Sequence, residues 1–168
     1  MELKIFEGFA GYGGGSFALK RIKKLYPNFE YNVIGYSEKD KYASELFDLN
    51  HKDKNNNPIK NYGDFTKINP QDLPDFDMFI AGFPCQPFSY AGEKQGFNDE
   101  IRGTLFFDIC RILEYHKPPM VFLENVKGLK SHEKGKTLNI IMEKLEELGY
   151  FPHWTILSSL DYGLPQKR

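Results

Sequence analysis

The sequence predicts an α/β fold in which a mostly parallel sheet carries helices on both faces. Short apolar runs with strand character alternate with longer segments whose apolar residues recur at helical spacing. The run at 76–81 is nearly continuously apolar, as expected of a strand that helices cover on both sides. The 168 residues suit one domain with a substantial core, so we expect a single domain over 1–168.

The first half of the chain holds three predicted strands and two predicted helices. The strands are the apolar runs at 3–9, 32–38 and 76–81. A glycine cluster after the first strand opens a helix over about 16–26, which Pro27 ends. Asp40 is placed to cap the next helix, which continues to about Leu49. The polar stretch 52–58 then predicts a surface loop.

The second half continues the alternation. Its predicted elements are a helix at 103–116, a strand at 120–126, a helix at 135–148 and a strand at 153–157. Apolar residues share one face of the first of these helices, and Pro118 with Pro119 ends it. Gly149 ends the second helix. Strands joined through helices in this way are expected to lie parallel.

The charge balance gives no global sign of a polyanionic partner. Lys and Arg number 22 against 23 Asp and Glu, a formal net charge of -1, so DNA binding would depend on local patches. The N-terminus lacks the regions of a signal peptide and no apolar run is long enough for a membrane span, which predicts a cytoplasmic protein. Cys85 and Cys110 have no metal-type spacing, and we expect two free thiols and no metal.

Four chemically unusual features fall where predicted strands end. They are the glycines at 11–15, Glu38, the Pro-Cys-Gln segment at 84–86 and the pair Glu124 and Asn125. In open parallel sheets, ligands bind beyond the carboxyl ends of the strands. We therefore expect a functional site at this edge.

The glycine-rich segment Phe9-Ala-Gly-Tyr-Gly-Gly-Gly15 allows a tight turn and the approach of a ligand to amides at a helix start. Turning alone would explain the glycines equally well. The segment is not a dinucleotide-binding fingerprint in register, because Ser16 stands where the third glycine should be. Glu38 could accept hydrogen bonds from a ribose diol or be a solvated carboxylate. Asp64 could meet an adenine amino group or sit in a turn.

Cys85 is the candidate nucleophile. A position that needs only a small apolar side chain would not be flanked by the prolines at 84 and 87, which stop both ladders and helices. A thiolate is a strong nucleophile, and a loop between a strand end and a helix can hold one exposed. Cys110, by contrast, lies in an apolar helix pattern and fits a packed thiol.

Glu124 ends an apolar strand, where a carboxyl group would be partly desolvated and could donate a proton to a ring nitrogen. A capping or ion-pair role is the alternative. The segment Gln166-Lys-Arg168 could contact an anionic backbone or simply face solvent.

Together these motifs resemble those of the cytosine-5 DNA methyltransferases. The resembling segments are 9–14, Glu38, 63–64, the nucleophile motif 82–86, the catalytic loop and following helix 96–108, the Glu-Asn-Val motif 122–126 and the start of the Gln-x-Arg-x-Arg motif at 160–168. They occur in family order over essentially the whole chain. The resemblance implies a Rossmann-like fold that uses S-adenosylmethionine.

The resemblance also implies the reaction. A methyl group passes from S-adenosylmethionine to carbon 5 of a cytosine flipped out of duplex DNA, leaving S-adenosylhomocysteine. Cys85 would add to carbon 6, and Glu124 would bind ring nitrogen 3 and the exocyclic amine. A bacterial restriction-modification system is the implied setting, with the enzyme on nucleoid DNA in the cytoplasm.

The other roles follow the family motifs residue by residue. Cofactor contacts are implied for Phe9, Gly11, Gly13, Gly14, Glu38, Asp64, Phe65, Pro84 and Leu105. Catalytic roles beside Cys85 and Glu124 are implied for Gln86, Asn125 and Arg168, and contacts to DNA for Ser89 and Arg102.

The chain departs from the family pattern at two points. Lys39 stands where the family often has an apolar or aromatic residue packing on adenine. The sequence also ends at Arg168, before the family's target-recognition domain and closing motifs. We therefore expect an incomplete catalytic domain, as a fragment or as half of a split enzyme whose second polypeptide carries the recognition domain.

Two other functions stay open at this point. A cofactor-binding remnant without catalysis is suggested by the missing C-terminal half. A nicotinamide-dependent oxidoreductase would account for the glycine loop and Glu38, but it leaves Pro-Cys-Gln and Glu-Asn-Val unexplained.

Overall fold

A computed structural model describes residues 2–84 and 105–166. The chain divides into two compact units, one made of 1–83 with 111–124 and the other of 84–110 with 125–168. The single domain expected over 1–168 stays a prediction.

The first unit is built on a four-stranded sheet in the order β2-β1-β3-β4. The strands are β1 Leu3–Gly8, β2 Tyr31–Ser37, β3 Met78–Gly82 and β4 Met120–Glu124. All pairings are parallel, and the predicted α/β fold is confirmed. The register sets Gly8 opposite both Ser37 and Ala81, and Gly82 opposite Glu124. The carboxyl ends of the four strands therefore share one edge.

The four predicted helices are confirmed with small shifts at their ends. They are α1 Gly14–Leu25, α2 Lys41–Asn50, α3 Leu105–His116 and α4 Lys136–Glu147. Asp40 caps α2 as expected, because its Oδ1 accepts a hydrogen bond of 2.8 Å from the amide of Ala43. Within the described residues, no helix has the length and hydrophobicity needed to cross a membrane.

Aromatic side chains cover both faces of β1. Ile5 and Phe6 are fully buried, and successive residues of a strand point to opposite faces. On one face Ile5 belongs to a cluster with Tyr36 and Phe47, whose rings stack at 3.8 Å. On the other, the rings of Phe6 and Phe79 stack at 6.3 Å. The strand is therefore buried on both faces up to the start of the glycine-rich segment.

The strand predicted at 153–157 is wrong. Residues 151–158 have no regular structure, and Phe151, Trp154 and Leu157 are 92%, 49% and 61% exposed. A strand needs a neighbour to complete its backbone hydrogen bonds, and no described strand pairs with this segment. The apolar pattern indicates a local preference for extended backbone, but it does not show whether a neighbouring strand is present to pair with it.

Candidate functional site

The turn between β1 and α1 is shaped by left-handed residues. Phe9, Gly11 and Gly13 have φ angles of 51°, 56° and 91°. The amide of Ala10 donates to the carbonyl of Ser37 at 3.0 Å, which ties the turn to the end of β2. Glycine is favoured at such positions because it adopts positive φ without the steric cost that a β-carbon brings, a cost that Phe9 bears. The turn thus brings its backbone to the carboxyl edge of the sheet, as the sequence predicted.

Glu38 lies against this turn. Its Oε2 accepts a hydrogen bond of 2.9 Å from the amide of Gly11, and its Oε1 accepts one of 2.8 Å from the amide of Asp40. An ionised carboxylate has about four acceptor positions, so about two remain for a ligand. A vicinal diol would fit these positions. The geometry therefore agrees with the predicted ribose-binding role, which stays a prediction.

Asn61 links Glu38 to the next loop, a role that sequence reasoning missed. Its side-chain oxygen accepts hydrogen bonds from the amides of Glu38 at 3.1 Å and Gly63 at 2.8 Å. Its amide nitrogen donates to the carbonyl of Glu38 at 3.0 Å. Asn61 therefore links the backbone of Glu38 to that of Gly63, the residue before Asp64. In the sequence it lies in a polar loop, where nothing distinguishes it from its neighbours.

Asp64 caps a short 3-10 turn, Phe65–Lys67. Its Oδ1 accepts hydrogen bonds from the hydroxyl and amide of Thr66, at 2.9 Å and 3.1 Å. These bonds, with weaker help from Lys67 and Lys39, hold the pKa of Asp64 below its usual value. Its Oδ2 lies 3.9 Å from Nζ of Lys67, beyond hydrogen-bond distance, and can still accept a hydrogen bond. Asp64 thus lies in a turn, which was one of the two alternatives in the sequence analysis. This position does not prevent its carboxylate from binding an amino group.

Phe9 and Phe65 form the apolar floor beside these acceptors. Their ring centroids lie 4.5 Å apart, and Phe65 also packs on Phe79 at 5.9 Å. Phe65 is only 2% exposed, whereas Phe9 is half-buried. A flat ring placed here would therefore meet Phe9 more than Phe65.

Glu7 is the second residue that sequence reasoning missed. It is 3% exposed, and its carboxylate accepts from the amide of Gly15 at 2.9 Å and from the hydroxyl of Ser16 at 2.5 Å. A further bond of 3.1 Å comes from the amide of Ser16. Burial raises the pKa of Glu7, and the three hydrogen bonds oppose that rise. Glu7 therefore caps the N-terminus of α1 from inside the protein.

This cap changes what the helix start can bind. The sequence predicted that a ligand could approach the amides at the start of α1, but Glu7 occupies those of Gly15 and Ser16. A phosphate would have to displace the buried carboxyl oxygens that already accept hydrogen bonds from these amides. The turn is consequently suited to a nucleoside without a phosphate at this point, and not to a dinucleotide.

The remaining predicted site residues are placed only in part. Glu124 ends β4, and its Oε2 would lie 3.3 Å from a β-carbon built on Gly82. It is exposed, on the face of β4 whose alternate residues are all exposed, so the burial expected of it is not seen in the described structure. In the second unit, Asn125 Oδ1 accepts from the amide of Val126 at 2.8 Å, Pro84 is exposed and Leu105 begins α3. Outside the described residues lie Cys85, Gln86, Ser89, Arg102 and Arg168.

Comparison with known proteins matches the chain to a family model and to curated relatives. Residues 3–168 match the family model described as C-5 cytosine-specific DNA methylase. The chain is 44% identical over 166 residues to Type II methyltransferase M.HhaI of Haemophilus parahaemolyticus, covering 99% of this chain and 46% of that protein. It is also 44% identical to Type II methyltransferase M.BanI of Aneurinibacillus aneurinilyticus, covering 100% of this chain and 37% of that protein. The chain thus spans about half, or less, of the length of these relatives.

Among solved structures, the crystal structure of S. pombe Dnmt2 methyltransferase superimposes with a TM-score of 0.72 at 22% identity. The match covers all of this chain and 47% of that one. At this identity the likeness shows the fold alone, and it agrees with the Rossmann-like arrangement expected from the sequence.

Proposed function

The chain belongs to the C-5 cytosine-specific DNA methylase family, and on this premise we propose that it carries the S-adenosylmethionine site and the nucleophile of a DNA cytosine-5 methyltransferase. The supporting observation is the arrangement of Glu38, Asn61 and Asp64 at the carboxyl edge of the sheet. Glu38 accepts from the amide of Gly11, and Asn61 links the backbone of Glu38 to that of Gly63, the residue before Asp64. We also infer that the whole protein belongs to a restriction-modification system, as expected of a relative of Type II methyltransferases.

This arrangement of Glu38, Asn61 and Asp64 fits the nucleoside part of S-adenosylmethionine. Glu38 has acceptor positions left for the ribose hydroxyls, and Asp64 has Oδ2 left for the adenine amine. Phe9 offers an apolar surface to the adenine ring, backed by Phe65. The buried carboxylate of Glu7 disfavours a diphosphate, which argues against the nicotinamide-dependent alternative. When bound, this cofactor supplies an electrophilic methyl group.

The reaction requires a nucleophile because carbon 5 of cytosine is unreactive by itself. The thiolate of Cys85 adds to carbon 6, and the electron pair moves to carbon 5. Glu124, at the end of β4, binds ring nitrogen 3 and the exocyclic amine and stabilises the charge that develops on the ring. After carbon 5 has accepted the methyl group, loss of its proton expels the thiolate. The cytosine must leave the duplex for these steps, since stacked bases are inaccessible.

The other roles implied by the family remain part of this proposal. Gln86, Asn125 and Arg168 support the reacting groups, and Ser89 and Arg102 contact duplex DNA. The target-recognition surface would come from the remainder of the protein or from a second polypeptide. Cofactor binding without catalysis is the competing function.

We expect Glu38→Ala to weaken the binding of S-adenosylhomocysteine by about tenfold or more, since it removes charged acceptors of the ribose. Calorimetric titration of the 168-residue chain measures this directly. Glu38→Gln keeps one acceptor and should retain intermediate affinity. Glu45→Ala removes an exposed carboxylate of α2 that pairs only loosely with Lys41, at 3.8 Å, and serves as the matched control.

The same titration with a nicotinamide dinucleotide separates the alternatives. The proposal expects saturable binding of S-adenosylhomocysteine and none of the dinucleotide. Tight dinucleotide binding, or equal affinity of Glu38→Ala and the unaltered chain for S-adenosylhomocysteine, would contradict the proposed cofactor site.

A further inference from the structure

His51 is a buried polar side chain beside the glycine turn. It caps the C-terminus of α2 and is 1% exposed. Its ring packs against Phe17 and Phe47, with centroid distances of 4.5 Å and 4.7 Å. Its Nε2 lies 3.0 Å from the carbonyl oxygen of Tyr12, inside the turn. The end of α2 is thereby joined directly to the backbone between Gly11 and Gly13.

The partner of His51 determines its protonation. A carbonyl oxygen can only accept, so Nε2 carries the proton and donates it to Tyr12. Nδ1 is buried and has no hydrogen-bond partner among the described residues. Burial, together with the charge of Lys20 on α1, lowers the pKa of His51 more than the bond to Tyr12 raises it. The ring is therefore a neutral, Nε2-protonated imidazole at neutral pH.

The ring also supports Gly13. A β-carbon built on Gly13 would lie 2.3 Å from Nε2 and 2.6 Å from Cδ2 of His51. The imidazole therefore lies directly against the backbone of the turn while it holds the preceding carbonyl. One ring thus restricts both the position of Gly13 and the orientation of the Tyr12 peptide.

We propose that His51 is a positioning residue of the cofactor site, whose Nε2–H fixes the Tyr12 carbonyl and so holds the glycine turn in its binding conformation. This inference rests on the proposed function. The turn supplies the Gly11 amide that orients Glu38, and a turn free to rotate would present Glu38 to the ribose in several orientations. Holding the turn before binding reduces the entropy lost when the ligand is bound.

Two substitutions separate the ring from its hydrogen bond. His51→Phe keeps an aromatic ring against Phe17 and Phe47 but has no donor. His51→Gln loses the ring, but its side-chain amide can donate from nearly the position of Nε2. We expect His51→Phe to weaken the binding of S-adenosylhomocysteine about threefold to tenfold, and His51→Gln to stay within about twofold of the unaltered chain.

Calorimetry gives the dissociation constants, and urea unfolding of each variant reports stability separately. The same two substitutions at His153, which is exposed, are the matched controls and should change neither quantity. Nitrogen-15 spectra of the unaltered chain add a readout that needs no variant. We expect a neutral ring protonated at Nε2, with and without S-adenosylhomocysteine.

The outcomes distinguish this inference from the proposed function. If the unaltered chain does not bind S-adenosylhomocysteine, both fail. If it binds and His51→Phe binds equally well, or His51→Gln is as weak as His51→Phe, only the positioning role is overturned. If His51→Phe does not fold, two other measurements test the positioning role: the affinity of His51→Gln for S-adenosylhomocysteine, and which ring nitrogen of His51 carries the proton. Weak binding by His51→Gln, or a proton on Nδ1, would overturn the positioning role.

Discussion

Replacing Cys85 by serine should abolish methyl transfer to DNA, lowering the rate by more than about a thousandfold, the scale on which removal of a nucleophile acts. A serine hydroxyl is hardly ionised at neutral pH, so it cannot add to carbon 6 as a thiolate does. Without that addition, carbon 5 has no electron pair to attack the methyl group. Transfer of tritiated methyl groups to duplex DNA measures the effect.

The assay requires a protein of the relatives' length. A suitable one joins this chain to the part of M.HhaI that lies beyond the matched region, since the two are 44% identical over 166 residues. Cys110→Ser, in α3, is the control and should retain transfer. Equal rates for Cys85→Ser and the unaltered chimera would refute Cys85 as the nucleophile.

Gly13→Ala should have the largest effect on stability, lowering the free energy of unfolding by about 2–5 kcal/mol. Two costs add. The φ of 91° is strained for any residue with a β-carbon, and the new methyl group would lie 2.3 Å from His51 Nε2 and 2.9 Å from Phe47 Cδ2. Both rings belong to packed, buried side chains, so neither can move aside cheaply. Urea unfolding followed by circular dichroism measures the change.

Gly14→Ala is the matched control for stability. Gly14 is the first residue of α1, and a β-carbon built on it meets nothing within 4 Å. The free energy of unfolding of Gly14→Ala should stay within about 1 kcal/mol of that of the unaltered chain, because alanine is compatible with a helix start. Comparable unfolding curves for the Gly13 and Gly14 variants would show that the turn is not packed as described.

The sequence predicted the sheet edge well because the elements there are locally encoded. Apolar runs defined all four described strands, and parallel pairing then brought Glu38, the glycine turn and Glu124 to one edge. Asp40 could be predicted as a cap because an acidic residue before a helix acts through its nearest amides. These features depend on residues close in sequence or on the general geometry of parallel sheets.

Glu7, His51 and Asn61 could not be predicted because they act on backbone groups of distant segments. His51 meets the Tyr12 carbonyl across 39 residues, and Asn61 meets the Glu38 amide across 23. Glu7 lies in an apolar strand as a single carboxylate, and only the fold shows that it points at the start of α1. The wrong prediction of a strand at 153–157 has the same cause, because a strand needs a pairing partner from a distant segment and no local pattern specifies that partner.

Covalent trapping tests the central claim most directly. In duplex DNA with 5-fluorocytosine at the target position, carbon 5 carries fluorine in place of the departing proton, so the thiolate cannot be expelled after methylation. The chimera with M.HhaI, incubated with this duplex and S-adenosylmethionine, is digested and its peptides are analysed by mass spectrometry. We predict a methylated 5-fluorocytosine adduct on the peptide containing Cys85, absent without the cofactor and absent from Cys85→Ser. An adduct that persists in Cys85→Ser, or its absence from a chimera that binds both the duplex and S-adenosylhomocysteine, would contradict the assignment of this chain as the catalytic part of a cytosine-5 methyltransferase.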